Sequence, residues 1–375
     1  MSRGVDCAVL QSHLPPLTAM LPNRPTMKYD VAIVGAGPAG SACAALCAAA
    51  GLRTLLLERA IFPREKVCGD CVNPACWLVL DRLGVSARIA ALPHARLDAV
   101  EFIGTDERVL RYPLPAGDRG EIAVKRSAFD AVLLDRAAEL GATVKQGAAV
   151  IAIEPGWRLR VGDDSWEAAT LVAADGRNST VARLLGLLPA AHKDRLGLQA
   201  HLPAPIGDGN KVTMRLLPFG YCGVADVGGG EINVCLVAKS CDLHRLKAWA
   251  HEQFSLQPDQ AWRSIAPLAR APLPPAHERL LLVGDAARVV EPFTGEGIYY
   301  ALASGALAAE AIIDGDLPRY AASHRALYRG RLWVNELAKA AVLHPRLATH
   351  ALRLARVWPS LLGMLTAKVV APLTE

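Results

Sequence analysis

A glycine-rich turn near the start of the chain constrains the fold more than any other feature. Residues 29–59 read YDVAIVGAGPAGSACAALCAAAGLRTLLLER: an apolar strand, an alanine-rich helix and a second apolar strand that ends at Glu58. Gly35 permits the tight turn, Gly37 lets the backbone approach a pyrophosphate, and Gly40 lets the helix pack against the strand. This order predicts an α/β fold with a Rossmann-like nucleotide-binding unit, in which Glu58 accepts hydrogen bonds from an adenosine ribose. FAD and NAD(P) are both candidates for the nucleotide at this point.

Composition and charge narrow the class of protein. The chain has 375 residues, of which 52% are apolar and 21% charged, so it is expected to be globular, with room for two interleaved domains. A formal charge of +5 is small for this length and gives no reason to expect a nucleic-acid partner. Nine cysteines is an odd number and no secretory leader opens the chain, which predicts free thiols in a cytoplasmic protein. No uncharged apolar stretch reaches the roughly 18 residues that a membrane span requires.

Two further turns lie later in the chain, each after an apolar strand. The first is the Asp175-Gly176 turn in TLVAADGRNSTVARLLG. The second, in residues 279–312, follows a strand that ends in Gly284-Asp285 and leads into a long helix of small residues. Its loop carries the turn-forming residues Pro292, Gly295 and Gly297. An acid at a strand's carboxyl end can hold a polyol hydroxyl, and the amides that open the helix can stabilise negative charge on a reduced flavin ring.

Together the three turns, in this order over residues 28–315, resemble the fingerprints of a large FAD-dependent oxidoreductase superfamily. That superfamily contains aromatic hydroxylases, flavin halogenases and geranylgeranyl reductases. The resemblance implies bound FAD in a Rossmann-like FAD-binding domain of the glutathione reductase type 2 style. It also implies an interleaved antiparallel-sheet substrate domain and C-terminal helices. The Trp-x-Trp-x-Ile-Pro signature of the halogenases is absent from the sequence.

The resemblance also assigns cofactor-binding residues. The glycine motif and Glu58 hold the ADP part, Asp285 holds the ribityl chain, and the backbone of residues 295–298 lies near the pyrimidine side of the ring. Arg126 matches an arginine that opens the second helix of the FAD-binding domain in this family, near the cofactor. The complete predicted set is Gly35, Gly37, Pro38, Ala39, Gly40, Glu58, Arg59, Lys66, Cys68, Gly69, Arg126, Asp175, Gly176, Gly284, Asp285, Pro292, Gly295, Gly297 and Ile298. A solvated side chain is the alternative for Arg59.

Three cysteines in KVCGDCVNPACW, residues 66–77, allow three interpretations. A zinc clip needs a second Cys-x-x-Cys or a histidine pair downstream, and the sequence has none at usable spacing, so no metal site is predicted. CVNPAC resembles the redox pair of flavin disulfide reductases, but those enzymes need a second GxGxxG for NADPH and a dimerisation domain. REKVCGD resembles a segment of the geranylgeranyl reductase-like branch, which implies that Cys68 and Gly69 lie on a loop facing the isoalloxazine ring. Cys68 is therefore the predicted catalytic thiol, with a buried packing residue as its alternative, and Cys71 and Cys76 are predicted packing residues.

The segments between these motifs contain short runs of alternating apolar residues and proline clusters, which predicts an antiparallel sheet over the cofactor. The predicted boundaries are 1–26 for a tail, 27–90, 125–190 and 276–325 for the FAD-binding domain, 91–124 and 191–275 for the substrate domain, and 326–375 for a C-terminal helical segment. Tyr221 is the second catalytic candidate, as a proton donor or a group that orients substrate; a half-buried strand tyrosine is the alternative. It matches the Tyr of a Gly-Tyr-x-Trp-x-Phe-Pro segment in geranylgeranyl reductases, whose Trp and Phe-Pro this sequence lacks.

We therefore expect an FAD-dependent oxidoreductase that acts on a hydrophobic small molecule, isoprenoid-like or polyketide-like, with NAD(P)H as the transient reductant. Reduction of a C=C bond is the first expectation, and hydroxylation of an aromatic or polyketide substrate by a monooxygenase is the alternative. A disulfide reductase and an electron-transfer flavoprotein are weaker candidates. Residues 344–372 have a helical pattern with arginines among apolar residues. They predict either a packed C-terminal helix or a peripheral membrane contact.

Overall fold

The computed structural model describes residues 28–189, 195–204 and 209–357. The predicted tail of residues 1–26 and the end of the predicted C-terminal segment lie outside the described residues. In chain order the strands are β1 (Lys28–Val34), β2 (Thr54–Glu58), β3 (Cys71–Val72), β4 (His94–Leu97), β5 (Ala99–Ile103), β6 (Val109–Pro113), β7 (Glu121–Val124), β8 (Thr143–Gln146), β9 (Ala152–Glu154), β10 (Arg158–Val161), β11 (Asp164–Ala173), β12 (Leu196–Pro203), β13 (Lys211–Leu217), β14 (Gly220–Asp226), β15 (Glu231–Ala238), β16 (Arg263–Ile265), β17 (Ala276–His277) and β18 (Leu280–Leu282). The helices are α1 (Pro38–Ala49), α2 (Cys76–Arg82), α3 (Ser86–Ala90), α4 (Arg126–Glu139), α5 (Thr180–Leu184), α6 (Leu243–Gln253), α7 (Gly297–Ile313), α8 (Leu317–Leu327), α9 (Leu332–Leu343) and α10 (Pro345–Val357), with short 3-10 helices at Ser240–Asp242, Gly284–Ala286 and Pro292–Thr294.

The first sheet has eight strands in the order β17-β18-β11-β1-β2-β8, and the β9–β10 hairpin is attached to β11. Strands β8, β2, β1, β11 and β18 run parallel. Residues on one face of β1 and β2 pack against α1, α4 and α7, and residues on the other face pack against α5 and the β9–β10 hairpin. Burial on both faces explains why β1 and β2 read as continuous apolar runs. The predicted α/β fold class, with a Rossmann-like parallel sheet, is confirmed.

The second sheet has seven strands in the order β16-β12-β15-β14-β13-β5-β6. Its neighbours are antiparallel except β13 and β5, which are parallel. The chain enters this sheet twice, in residues 99–113 and 196–265, and returns to the first sheet in between. Helix α6 packs on one face, and α9 and α10 pack on the other. The antiparallel sheet expected from alternating apolar residues is therefore interleaved with the parallel one.

A third, three-stranded sheet, β3-β7-β4, connects the cysteine-rich loop to the second sheet. Its apolar side packs on residues of β14 and on Val100 and Val212 of β5 and β13. At the C-terminal end, α8 is tied to the first sheet because the Tyr320 hydroxyl donates a hydrogen bond to the Leu282 carbonyl at 2.7 Å. Helix α9 contacts β14, and α10 contacts β13. Among the helices of the described ranges, none combines the length and the apolarity that crossing a bilayer requires.

Candidate functional site

A cavity of about 580 Å³ lies where the carboxyl ends of β1, β11 and β18 face the second sheet. Ligands of open parallel sheets bind at this edge, because the loops after the strands diverge there. The loops after the three strands form one wall, β5, β13, β14 and β15 form the opposite wall, and α9 and α10 contribute apolar side chains. The topology therefore brings all three sequence motifs to one place.

The loop after β1 requires glycine at two positions for steric reasons. Gly35 has a φ of +101°, and a Cβ there would lie 2.5 Å from the carbonyl oxygen of Ala174. A Cβ at Gly40 would lie 1.8 Å from the carbonyl oxygen of Gly35, so α1 packs directly on the turn. At Gly37 an added Cβ would meet only the guanidinium of Arg64, at 3.6 Å, and this residue lines the cavity. A side chain would thus collide with backbone atoms at Gly35 and Gly40, whereas the space beside Gly37 is free, and a pyrophosphate is expected there.

Two helices begin at the cavity. Helix α1 begins at Pro38 and α7 begins at Gly297, and neither N-terminus receives a side-chain cap. The two helices touch at Gly305 of α7, where an added Cβ would lie 2.2 Å from the carbonyl oxygen of Ala39. The first residues of both helices, Pro38 and Ala39 in α1 and Gly297 and Ile298 in α7, line the cavity, so their unpaired first-turn amides lie beside it. Their partial positive charges favour an anionic ligand.

Cationic side chains border these helix ends. Lys66, Arg126 and Arg177 line the cavity. Arg126 binds Asp130 through two hydrogen bonds of 2.8 Å, and Arg177 binds Asp285 at 3.1 Å. Burial and the neighbouring Arg126 lower the pKa of Lys66, and no ion pair engages its ammonium group within the described ranges. A half-buried cation without an ion-pair partner in the described residues, two uncapped helix ends and an open glycine fit a dinucleotide with a pyrophosphate.

Most of the predicted cofactor residues meet in the cavity wall: Gly37, Pro38, Ala39, Lys66, Cys68, Gly69, Arg126, Gly176, Gly284, Asp285, Pro292, Gly295, Gly297 and Ile298. The ones that do not line it are Gly35, Gly40, Glu58, Arg59 and Asp175. Glu58 accepts a hydrogen bond from the amide of Ala36 at 2.8 Å, so it holds the glycine turn. Asp175 accepts one from the amide of Thr180 at 2.6 Å and caps α5. Arg59 is exposed, which agrees with the solvated alternative.

The loop that carries Cys68 is held from the second sheet. The Cys68 carbonyl accepts hydrogen bonds from the side-chain amides of Gln199 at 2.9 Å and Asn233 at 2.8 Å. A third comes from the thiol of Cys235 at 3.1 Å. Gln199 lies opposite Cys235, and His201 opposite Asn233, in the β12–β15 pairing. The four side chains form a polar cluster on one face of an otherwise apolar sheet.

Asp70 fixes the same loop two residues further on. It is fully buried, its φ is +60°, and its Oδ2 lies 2.7 Å from Nε2 of His201. Burial raises the pKa of this carboxyl, while the hydrogen bond with His201 acts in the opposite direction. A left-handed conformation costs a residue other than glycine roughly 1 kcal/mol or more, so the contact with His201 must stabilise it.

Sequence reasoning did not identify Gln199, His201 and Asn233 as site residues. Their signal is a polar side chain at alternate positions of otherwise apolar strands, at 199 and 201 in β12 and at 233 in β15. That pattern identifies a shared face, but only the strand register brings the face to the cysteine loop. The acidic residue Glu121, which also lines the cavity, was missed because a glutamate that opens a short strand is usually solvated.

The cysteines of the described residues differ in burial and in their position relative to the cavity. All eight cysteines in the described residues are free thiols. Cys76 is fully buried at the start of α2, in agreement with its predicted packing role, while Cys71 lines the cavity. Burial raises the pKa of both thiols. No group of three or more His, Cys, Asp or Glu side chains in the described part of the chain could hold a metal ion.

Tyr221 lies on β14 with its ring in the cavity wall. The residue is buried, and its ring meets the ring of Phe293 edge to face, with centroids 5.3 Å apart. Burial is the main reason that the pKa of Tyr221 is raised well above its usual value, and Glu291 adds to it. The structure thus places both predicted catalytic residues, Cys68 and Tyr221, in the wall of one cavity.

Comparison with known proteins gives a consistent result. An FAD binding domain family matches residues 28–200. The chain is 33% identical over 329 residues to a menaquinone reductase of Mycobacterium tuberculosis, covering 77% of this chain and 78% of the relative. It is 30% identical over 322 residues to digeranylgeranylglycerophospholipid reductase 1 of Methanopyrus kandleri, covering 77% of this chain and 81% of the relative. Among solved structures, the flavin-dependent brominase Bmp2 superposes with a TM-score of 0.75 at 20% identity, covering 92% of this chain and 95% of that one, which is a likeness of fold alone.

Proposed function

This chain belongs to the FAD-dependent oxidoreductase superfamily, and from that premise we propose that it reduces a carbon–carbon double bond in a polyprenyl lipid, with NAD(P)H as the source of electrons. The observation that carries the proposal is the cavity, which continues from the Cys68 loop along apolar strands to α9 and α10. The compounds in the names of the two reductases, menaquinone and digeranylgeranylglycerophospholipid, share a polyprenyl chain. The part of the cavity that lies beyond the cofactor residues, between apolar strands and α9 and α10, suits such a chain.

The residues of the first wall fit FAD, which supplies a hydride when bound. The first amides of α1 would hold the pyrophosphate, and Lys66 and Arg126 would add positive charge. The amides of residues 295–298 would stabilise negative charge on the ring. Cys68 and Tyr221 contribute a thiol and a hydroxyl that orient substrate, and the apolar residues of the second wall exclude water.

A second candidate function is hydroxylation of an aromatic or polyketide substrate. The observation that favours it is the sequence of β14, where Gly223 and Ala225 replace the Trp and Phe of geranylgeranyl reductases. The small side chains leave room beside Tyr221 and Phe293 for a flat ring, which can stack against aromatic side chains.

Turnover in the strict absence of oxygen tests the proposal. Purified enzyme with FAD is incubated with NADPH or NADH and either menaquinone or a digeranylgeranyl lipid, and the products are analysed by mass spectrometry. Once any quinol has been reoxidised to the quinone, we expect products heavier by the mass of two hydrogens for each C=C bond that is saturated. Product that forms only when oxygen is admitted, with one oxygen atom added, would instead establish hydroxylation.

The proposal includes a peripheral contact between α9–α10 and a lipid bilayer, from which a polyprenyl substrate would enter. Leu337 of α9 is 48% exposed and also lines the cavity, so the cavity wall continues into the surface. Trp333, Leu347 and Leu354 are exposed on the same two helices, at 45%, 67% and 63%. Such apolar surface is typical of interfacial helices. Sedimentation with phospholipid vesicles tests the contact: Leu347→Glu with Leu354→Glu should weaken it, and equal binding of the variant would contradict it.

A further inference from the structure

Glu121 places a carboxyl group on an apolar sheet face. It is the first residue of β7, directly opposite Leu97 of β4, and Ala123, two residues on, lies opposite Cys71 of β3. Side chains of opposite residues, and of alternate residues along a strand, share one face. On this face the third sheet forms an apolar cluster with β14, which includes Ala225. Every neighbour that the register gives Glu121 on its own face is therefore apolar or a thiol.

The Glu121 side chain lines the cavity, as do Cys68 and Cys71 of the cysteine loop. Within the described ranges no hydrogen bond or ion pair engages its carboxylate. Neither the cofactor residues nor Cys68 and Tyr221 require this carboxylate for the roles proposed for them. A carboxylate without a partner in apolar surroundings raises the free energy of the folded protein. We therefore expect Glu121 to have a functional role in the cavity wall.

The charged groups near Glu121 have other partners and do not pair with its carboxylate. The titratable groups that face it are the thiols of Cys71 on β3 and Cys76 on α2, and burial raises the pKa of each.

On β5 and β13, Glu101 and Lys211 bind each other at 3.1 Å and alternate with the residues that line the cavity. On β14, Asp226 likewise alternates with lining residues and accepts a hydrogen bond from the amide of Gly228 at 2.7 Å. Directly after β7, Lys125 pairs with Glu231. Burial alone raises the pKa of Glu121 to about 7.

We propose that Glu121 is the proton donor for double-bond reduction in this cavity, an inference that rests on the proposed function. Bound FAD would supply a hydride to one alkene carbon, and the Glu121 carboxyl would donate its proton to the other. The alkene π bond, the O–H bond of the carboxyl group and the bond that held the hydride on its donor would break, two C–H bonds would form, and the remaining carboxylate would regain a proton from water. The two electrons come from NAD(P)H by way of the cofactor.

The pKa makes Glu121 a better general acid than Tyr221, whose hydroxyl lies in the same cavity wall. A general acid is most effective when its pKa lies near the working pH, because it is then both protonated and able to release its proton. The pKa of Glu121, about 7, meets this condition, whereas burial raises the pKa of Tyr221 well above its usual value. Tyr221 is thus better suited to orient substrate than to donate to carbon.

Infrared spectroscopy of the FAD-bound protein, with no substrate added, tests the protonated carboxyl directly. The difference spectrum between wild type and Glu121→Gln should contain the carbonyl band of a protonated carboxylic acid, which disappears on titration with a midpoint near pH 7. Glu101→Gln, in the neighbouring sheet, is the matched control and should leave that band in place. A difference spectrum without the band at pH 6, or a midpoint in the ordinary range for glutamate, would overturn the inference.

Transient kinetics tests the proton transfer itself. In Glu121→Gln, reduction of FAD by NAD(P)H and binding of the polyprenyl substrate should be unchanged, while reoxidation of the flavin by that substrate slows about 100-fold. The wild-type rate should fall as the pH rises through about 7, since only the protonated acid donates; the variant should lose this dependence, and Glu121→Asp should retain part of the rate. The same rates measured in Tyr221→Phe and Cys68→Ala give the effect of losing a side chain that orients substrate.

The outcomes of this experiment separate the two claims. If wild type reduces the lipid and Glu121→Gln does so at the same rate, the inference about Glu121 fails and the proposed function stands. If wild type reduces no polyprenyl lipid, the proposed function fails, and the inference fails with it whatever the infrared spectrum contains.

Discussion

The partial burial of the Glu121 carboxyl group links chemistry to stability. The fold raises the pKa of this residue from 4.5 to about 7, so between these values the folded protein holds a proton that the unfolded chain has released. A group that binds its proton more tightly in the folded state stabilises the protein most at low pH. The contribution of Glu121 is therefore complete below about pH 4.5, declines as the pH rises, and is lost above about pH 7.

Replacing Glu121 with glutamine should remove this pH dependence. At pH 5 the variant and wild type, both with FAD bound, should unfold at similar urea concentrations. At pH 8 the variant should be more stable by about 1–3 kcal/mol, where the upper value follows from the size of the shift and water in the cavity reduces it. Glu101→Gln is the control, because that residue has Lys211 as a partner at 3.1 Å and should gain no stability at high pH. An equal effect of Glu121→Gln at both pH values would contradict the assignment.

At the scale of elements, the β1–α1–β2 unit was predictable because its signals are local. Gly35 and Gly40 are required by contacts within the turn and its immediate neighbours, and such contacts leave a fixed spacing in the sequence. The three motifs also had to meet, since all follow strands of one parallel sheet. Glu58 and Asp175 were correctly placed at the ends of strands, but the sequence could not tell that their carboxylates bind nearby amides.

The support of the Cys68 loop was not predictable, because it is non-local. Gln199 and Asn233 reach the Cys68 carbonyl from strands more than a hundred residues away in sequence, and only the pairing of β12 with β15 brings them together. The same holds for Glu121, whose apolar surroundings come from three other strands. A sequence reveals which residues share a strand face, whereas the identity of the opposing surface depends on the register.

His201 should be essential for the shape of the cysteine loop. In His201→Ala the buried carboxyl of Asp70 loses its hydrogen bond of 2.7 Å, which we expect to cost roughly 3 kcal/mol in the free energy of unfolding. The loosened loop should also weaken FAD binding and increase the fluorescence of the flavin. Thermal unfolding and fluorescence titration with FAD measure the two effects.

Two further variants test whether the effects come from loss of the Asp70–His201 hydrogen bond or from loss of any histidine. His244→Ala removes an exposed histidine of α6 and should change neither quantity. Asp70→Asn combined with His201→Ala should recover part of the stability, because the buried group then carries no charge. A single variant His201→Ala as stable as wild type would contradict the role of this pair.

At the scale of the whole molecule, residues of both large sheets and of the helices α9 and α10 form the cavity. The parallel sheet supplies the loops that fit the cofactor, the antiparallel sheet supplies the apolar wall, and α9 and α10 complete that wall. Asn335, earlier on α9, also accepts a hydrogen bond from the amide of Glu291 at 3.1 Å, in the loop before α7. The same helix therefore supports the loop before α7 through Asn335 and lines the cavity with other residues, so the two functions can be tested separately.

A large side chain at Ala341 should obstruct substrate and spare the cofactor. Ala341 lines the cavity six residues after Asn335, which is about 9 Å along a helix. In Ala341→Trp we expect unchanged FAD affinity and absorbance, while KM for a long polyprenyl lipid rises at least about tenfold, equivalent to about 1.4 kcal/mol of binding, and KM for a short prenyl analogue changes less. Ala340→Trp is the matched control, because its side chain is exposed on the same helix and does not line the cavity. If both variants handle the long lipid equally well, the chain does not bind along α9, and the substrate must occupy the space beside β14 alone.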